Sequence, residues 1–266
     1  MGIINDMIQD AISKGYKDEY AEAYVCQDLV LLALSKSSLS KNVTIKGGVV
    51  MRNISKSANR ATRDIDLDFI RYPLNDKAIM SFVEHLNCLK DIKFEQLGES
   101  EELKHQDYHG KRIFIKITDF SGDTIESKID IGVHKDLSIE QEDYCFDIAC
   151  FDEGASLLIN SKEQMFTEKL TSLLKLGYSS VRFKDVFDMC YLGKYVDKKR
   201  LYDYINTYIL SNNDMKENNM GEIINRISQT FENKQFQERL NKSKRNWISK
   251  PIEDVFREIL ELLKSL

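Results

Sequence analysis

Proline is almost missing from this chain: Pro73 and Pro251 are the only two in 266 residues, which excludes long proline-rich linkers. Long hydrophobic runs are missing too. Nothing approaches the roughly 20 consecutive apolar residues that cross a bilayer, and the opening MGIINDMIQD has neither the basic nor the apolar region of a secretory signal. The expectation is a cytoplasmic protein with no membrane partner. Cysteine is sparse and badly spaced for chemistry. Cys26, Cys88, Cys145, Cys150 and Cys190 are odd in number and contain no close pair, which argues against a disulfide framework and against a zinc half-site. The four histidines, His85, His105, His109 and His134, are scattered, so no Ser/His/Asp or Cys/His set has local support and nucleophilic catalysis is not expected. There is no internal repeat, and the only biased tract is the polar stretch at 211–219.

What is present is an ordinary globular composition, 42% hydrophobic and 30% charged, with length enough for one large or two modest domains. The net charge of -5 conceals a split. Residues 1–160 carry 19 Lys and Arg against 28 Asp and Glu, whereas residues 161–266 carry 19 against 15. Such a molecule can hold cations in its first part and face a polyanion with its second.

The pattern of hydrophobicity changes at the same place. A helix is expected over 18–35, then a short buried strand at 43–48 that runs into a Gly-Gly turn, with VVMRNIS as a helical turn or two. DIDLDFI at 64–70 alternates strictly, a helix suits 75–89, and strands are expected in KFEQLGE, KRIFIKITDF and TIESKIDIGVH around a polar loop at 100–111. The first part therefore reads as α/β (α+β) with a mixed sheet. From residue 162 the period is helical through 162–176, 183–195, 198–210, 218–240 and 251–266, which predicts an α-helical bundle. The expected domains are 1–160 and 161–266.

The aspartate strand is the most informative segment. With Ile65, Leu67 and Phe69 on one face, Asp64, Asp66 and Asp68 fall on the other. Carboxylates this close repel unless a cation lies between them, and Mg2+ is commonly held by one or two carboxylates together with substrate phosphates. An EF-hand loop would need Gly where this chain has Phe69, which excludes it. Gly47 and Gly48 form a Gly-rich turn ahead of a helix N-terminus just upstream, where free N–H groups can hold a triphosphate. In KIDIGV, Asp130 shares a strand face with Lys128 and Gly132 and could complete a carboxylate triad for metal-assisted phosphoryl displacement.

These residues, KGG at 46–48, RATRDIDLDF at 60–69 and KIDI at 128–131, with EKLTSLL at 168–174 and RFKDVFDM at 182–189, resemble the AbiEii/AbiGii toxin family of nucleotidyltransferase-like proteins. The resemblance implies a nucleotidyltransferase-fold domain in which Gly47, Gly48, Asp64 and Asp66 bind Mg2+ (or Mn2+) and a nucleoside triphosphate. It further implies that Lys169 with Leu173, and Arg182 with Asp185, complete the site. Asp130 would be metal ligand or general base, Lys169 would neutralise charge on phosphate, and Asp185 would orient Lys169 or the acceptor. Val49 and Val50 follow the glycines where the family has Ser or Thr, so triphosphate binding would lean on backbone N–H groups. The resemblance also implies a toxin of a toxin-antitoxin or abortive-infection system, with RNA such as tRNA as acceptor and a separate antitoxin protein. A binding module that kept the fold without turnover, and nucleotidyl transfer to a protein, are the alternatives.

Lys169 is unusual on its own terms. On a helix it shares a stripe with Phe166, Leu170, Leu173 and Leu174, so its ammonium must be paired or must snorkel to water. Asp185 could cap a helix start, with Asp188 one turn on as a structural partner. ERLNKSKRNWISK at 238–250 interleaves basic residues with Trp247, which suits either RNA contact or a solvated helix end with a core tryptophan.

Overall fold

A computed structural model of the chain describes residues 2–103, 110–134 and 141–266; His105, His109 and half of the expected polar loop lie outside them. The chain divides into two compact units, Met1–Asn160 and Ser161–Leu266.

The first unit is built on one seven-stranded sheet in the order β3-β4-β5-β2-β1-β7-β6. The strands are β1 (Val43–Lys46), β2 (Ile65–Phe69), β3 (Ile92–Glu102), β4 (Lys111–Asp119), β5 (Thr124–Val133), β6 (Glu142–Phe146) and β7 (Ala155–Ile159). The sheet is mixed: β2 runs antiparallel to β1 and parallel to β5, while β1 runs parallel to β7. Alternation in β2 does what the pattern predicts. Ile65, Leu67 and Phe69 are fully buried, each stabilising the fold by about 1.5–3 kcal/mol, and Phe69 meets Phe82 of α4 (Asp76–Leu86) with ring centroids 5.2 Å apart. Ile45, Ile113, Ile115, Ile117, Ile129 and Ile131 are buried likewise. Two further helices, α1 (Ile3–Ser13) and α2 (Asp18–Lys36), contact the sheet. Nearly the whole circumference of α2 from Val25 to Leu34 is buried, as expected for a helix apolar all round.

Two details differ from the sequence reading. The glycine pair is not a turn that precedes a helix: α3 spans Gly47–Ser55, so the glycines are its first two residues. The polar stretch after Gly98 does not leave the sheet at once, because β3 runs on through Glu102 past a bulge between Leu97 and Glu101.

In the second unit the described elements are helical: α5 (Lys162–Leu176), α6 (Phe183–Leu192), α7 (Lys198–Ile205), α8 (Met220–Glu232), α9 (Lys234–Lys242) and α10 (Ile252–Lys264). The side chain of Ser161 accepts from the Gln164 amide and caps α5, and Gly177 closes it with φ +53. The expected single helix over 218–240 is two. Asn233 adopts an extended conformation and its side chain accepts from the Phe236 amide, so a residue that fits the helical period ends one helix and caps the next.

Candidate functional site

One row of side chains crosses the middle of the sheet. Lys46 on β1 registers with Asp66 on β2, Asp66 with Asp130 on β5, Asp130 with Arg112 on β4, and Arg112 with Glu101 on β3. Paired residues in a sheet project to the same side, so both aspartates of the row lie side by side on the face opposite Ile65 and Leu67. The flanking aspartates of β2 are matched by lysines: Lys46 Nζ is 2.5 Å from Asp68 Oδ1, and Lys128 Nζ is 3.1 Å from Asp64 Oδ1.

Asp66 meets the corner between β1 and α3. Gly47 adopts φ +66, and a Cβ there would lie 2.4 Å from Asp66 Oδ2; a Cβ on Gly48 would lie 2.5 Å from Thr62 Oγ1. Only glycine leaves room for the carboxylate and the hydroxyl at the first turn of the helix, and only glycine adopts that φ without strain. Thr62 belongs to the RATRDIDLDF motif, but the closeness of its hydroxyl to Gly48 arises from the fold and not from sequence spacing. The corner is anchored from behind. Arg52 of α3 donates to Asp28 of α2 at 2.7 Å, both side chains are buried, and Asp28 Oδ2 accepts the Ala149 amide at 3.0 Å. Burial pushes the Asp28 carboxyl up, opposed by Arg52. The Arg52 guanidinium also stacks 4.0 Å from the centroid of Tyr24.

Asp130 is placed beside Asp66, yet both of its oxygens are taken: Arg112 Nε and Nη2 bind Oδ1 and Oδ2 at 2.7 and 2.8 Å. This fork-to-carboxylate geometry is among the strong charge-assisted pairs, and it raises the Arg112 pKa further. Among the described residues no group of three or more His, Cys, Asp or Glu side chains is disposed to hold a metal. Asp66 at the glycine corner and Asp64 beside it offer hard carboxylate oxygens, the donor type that Mg2+ and Mn2+ accept.

The remaining candidates lie in the second unit. Lys169 does not snorkel. It is 9% exposed, with Nζ 2.9 Å from Asp185 Oδ1 and 2.8 Å from Asp188 Oδ2. Arg182 Nε donates to Asp185 Oδ2 at 2.8 Å, so Asp185 is an ion-pair partner and not a cap. Asp188 is completely buried and its other oxygen accepts Trp247 Nε1 at 2.9 Å. Trp247 is thus a buried part of this network. Leu173 is buried one turn beyond Lys169.

Among curated proteins no match is found. The family comparison is informative: residues 29–261 match the family described as nucleotidyl transferase AbiEii toxin, type IV toxin-antitoxin system. That span contains the glycine corner, the aspartate strand and the Lys169 network, and the chain therefore belongs to the AbiEii nucleotidyl transferase toxin family.

Proposed function

We propose that this protein is a metal-dependent nucleotidyltransferase acting as the toxin of its system, with an α/β catalytic domain followed by a helical bundle. The observation that carries the reading is the contact between Asp66 and Gly47. It brings a carboxylate against the first turn of α3, where backbone N–H groups lack helical partners. A carboxylate and N–H donors at one point suit a phosphate and the cation that neutralises it. In this reading Asp64 and Asp66 hold Mg2+ or Mn2+, and Gly47 and Gly48 hold the triphosphate through their backbone. The ion, when bound, neutralises charge on the phosphates and fixes their orientation. Within the second unit, Lys169 and Arg182 are cations of the kind that bind phosphate, and Asp185 orients Lys169. Asp130 is the third ligand or the base, and its entry requires Arg112 to release it. The acceptor hydroxyl oxygen attacks the α-phosphorus, the bond to pyrophosphate breaks, and the hydroxyl proton passes to a base. The surplus of basic residues after 160 supports RNA, such as tRNA, as acceptor, with a separate protein as antitoxin.

The test is paired. Expression should arrest growth, and Asp66→Asn should relieve the arrest. Purified protein incubated with each labelled triphosphate and total cellular RNA should transfer label, and Asp66→Asn should reduce transfer by at least about a hundredfold, the scale of losing one electrostatic catalytic group. Arrest that survives Asp66→Asn without label transfer assigns the chain to the binding-module class; label on protein instead of RNA reassigns the acceptor.

A further inference from the structure

Lys169 is gripped by two aspartates that are themselves gripped. Asp185 and Asp188 lie three residues apart on α6, on one helical face. Each gives one oxygen to Lys169 and the other to a second donor: Arg182 for Asp185, Trp247 for Asp188. These two outer donors differ in kind. Arg182 is a long side chain, 62% exposed, whose hold on Asp185 is paid for in rotamer entropy and weakened by water. Trp247 is 8% exposed and lies in the connection between α9 and α10, its ring 5.2 Å from that of Tyr191. Its indole has one donor and no acceptor, and Asp188 is completely buried, so the hydrogen bond between them fixes the carboxylate rotation that sets where the ammonium sits.

We propose that Trp247 is a positioning residue for Lys169 and acts through Asp188, making a rigid arm opposite the releasable arm formed by Arg182 and Asp185. The proposal rests on the reading above only in its consequence, that a fixed Lys169 serves a triphosphate. Trp247 touches no phosphate. It determines the direction from which the ammonium is offered, and it leaves Arg182 as the donor that can exchange a carboxylate for a phosphate. Trp247 is the chain's only tryptophan, so in variants that keep it the emission reports whether the indole stays packed.

Two readouts test this on the full chain. The first is the rate of reductive methylation of individual lysines, followed by mass spectrometry. Trp247→Phe should raise the rate at Lys169 about tenfold, the scale of one hydrogen bond to a charged group. Lys46, held by Asp68 in its own ion pair, should be unaffected. Asp188→Asn keeps the size of the side chain and should raise the Lys169 rate in the same way, with Trp247 emission unshifted because the indole stays packed. An unchanged Lys169 rate in both variants overturns the proposal; equal gains at Lys169 and Lys46 overturn it as well, since they mean general loosening.

The second readout is binding of a non-hydrolysable triphosphate with Mn2+. Trp247→Phe should weaken it about tenfold in the parent but add nothing in Lys169→Met, the non-additivity of two residues acting as a unit. Equal weakening in both backgrounds overturns the positioning role. A parent that binds no triphosphate overturns the functional reading instead, and the methylation rates still decide whether Trp247 holds Lys169.

Discussion

What Asp130 can do is decided by one guanidinium. Register on the parallel β2–β5 pair sets it next to Asp66, and two neighbouring carboxylates of this kind would attract a divalent ion strongly. Arg112 satisfies that attraction with its own fork at 2.7 and 2.8 Å. Arg112→Met removes the competitor while keeping an unbranched apolar stem, so Mn2+ alone should bind more tightly, by about tenfold or 1.4 kcal/mol. Titration of Mn2+ by electron paramagnetic resonance checks this. Unchanged or weaker binding means that Asp130 is out of reach of the ion, and the metal set is then Asp64 and Asp66 alone.

Whether α1 stays docked depends on a residue from another element. Its own N-cap, Gly2, contributes no side-chain bond; Asp119 at the end of β4 accepts the Ile4 amide at 3.1 Å instead, together with Ser121 and the Asp123 amide. Burial alone would push the Asp119 carboxyl up, but these hydrogen bonds outweigh it and hold it below the usual carboxylate range. Because the folded value is depressed, the contribution is present above the unfolded value near 3.8 and fades as pH falls through the folded one. Asp119→Asn should therefore lower stability by about 0.5–2 kcal/mol at neutral pH, the range of a lost helix cap, and the difference from the parent should shrink below about pH 4. Amide exchange across Ile3–Ser13 is the measurement, and a difference that persists undiminished at acid pH would contradict it. Elements were legible in the sequence where a period is long and well terminated. Helix α5 follows its pattern from Lys162 to Leu176 between a Ser cap and a Gly stop, and β2 follows its alternation. Helix α1 and strands β6 and β7 were not read at all: EDYCF and ASLLI lack the strict alternation of β2, and in α1 only Ile4, Met7 and Ala11 are buried. At the candidate site, the nearness of the glycines to the aspartate strand was legible because strand, glycine pair, helical turn and aspartate strand follow one another in the chain. The hold of Arg112 on Asp130 was not, because it depends on strand register, and neither was the bond from Trp247 to Asp188, 59 residues apart.

At the scale of the whole molecule, a cation bound at the aspartate strand would compete with the lysines that hold Asp64 and Asp68. Asp64 just before β2 and Asp66 and Asp68 within it alternate over five residues, so a cation with triphosphate should raise the stability of the folded chain by mass action, by about 2.7 kcal/mol at a hundred times its dissociation constant. Calorimetry with and without Mn2+ and a non-hydrolysable triphosphate measures the shift, and Asp64→Asn with Asp66→Asn should abolish it. A shift that survives the double substitution would move the cation elsewhere. The order of the sheet bears on when such a site can exist during synthesis. Strand β2 lies fourth of seven and takes as its parallel neighbour β5, some sixty residues later, while β1 waits for β7, more than a hundred residues later. Parallel pairs of this separation close late, after the intervening chain is available. A ribosome that stalls before Ala155 thus carries the glycines and the aspartates, with β2 as a partner for β1 but without β7, its parallel neighbour on the other side. The chain order delays completion of the sheet around the glycine corner until the α/β unit is almost completely translated.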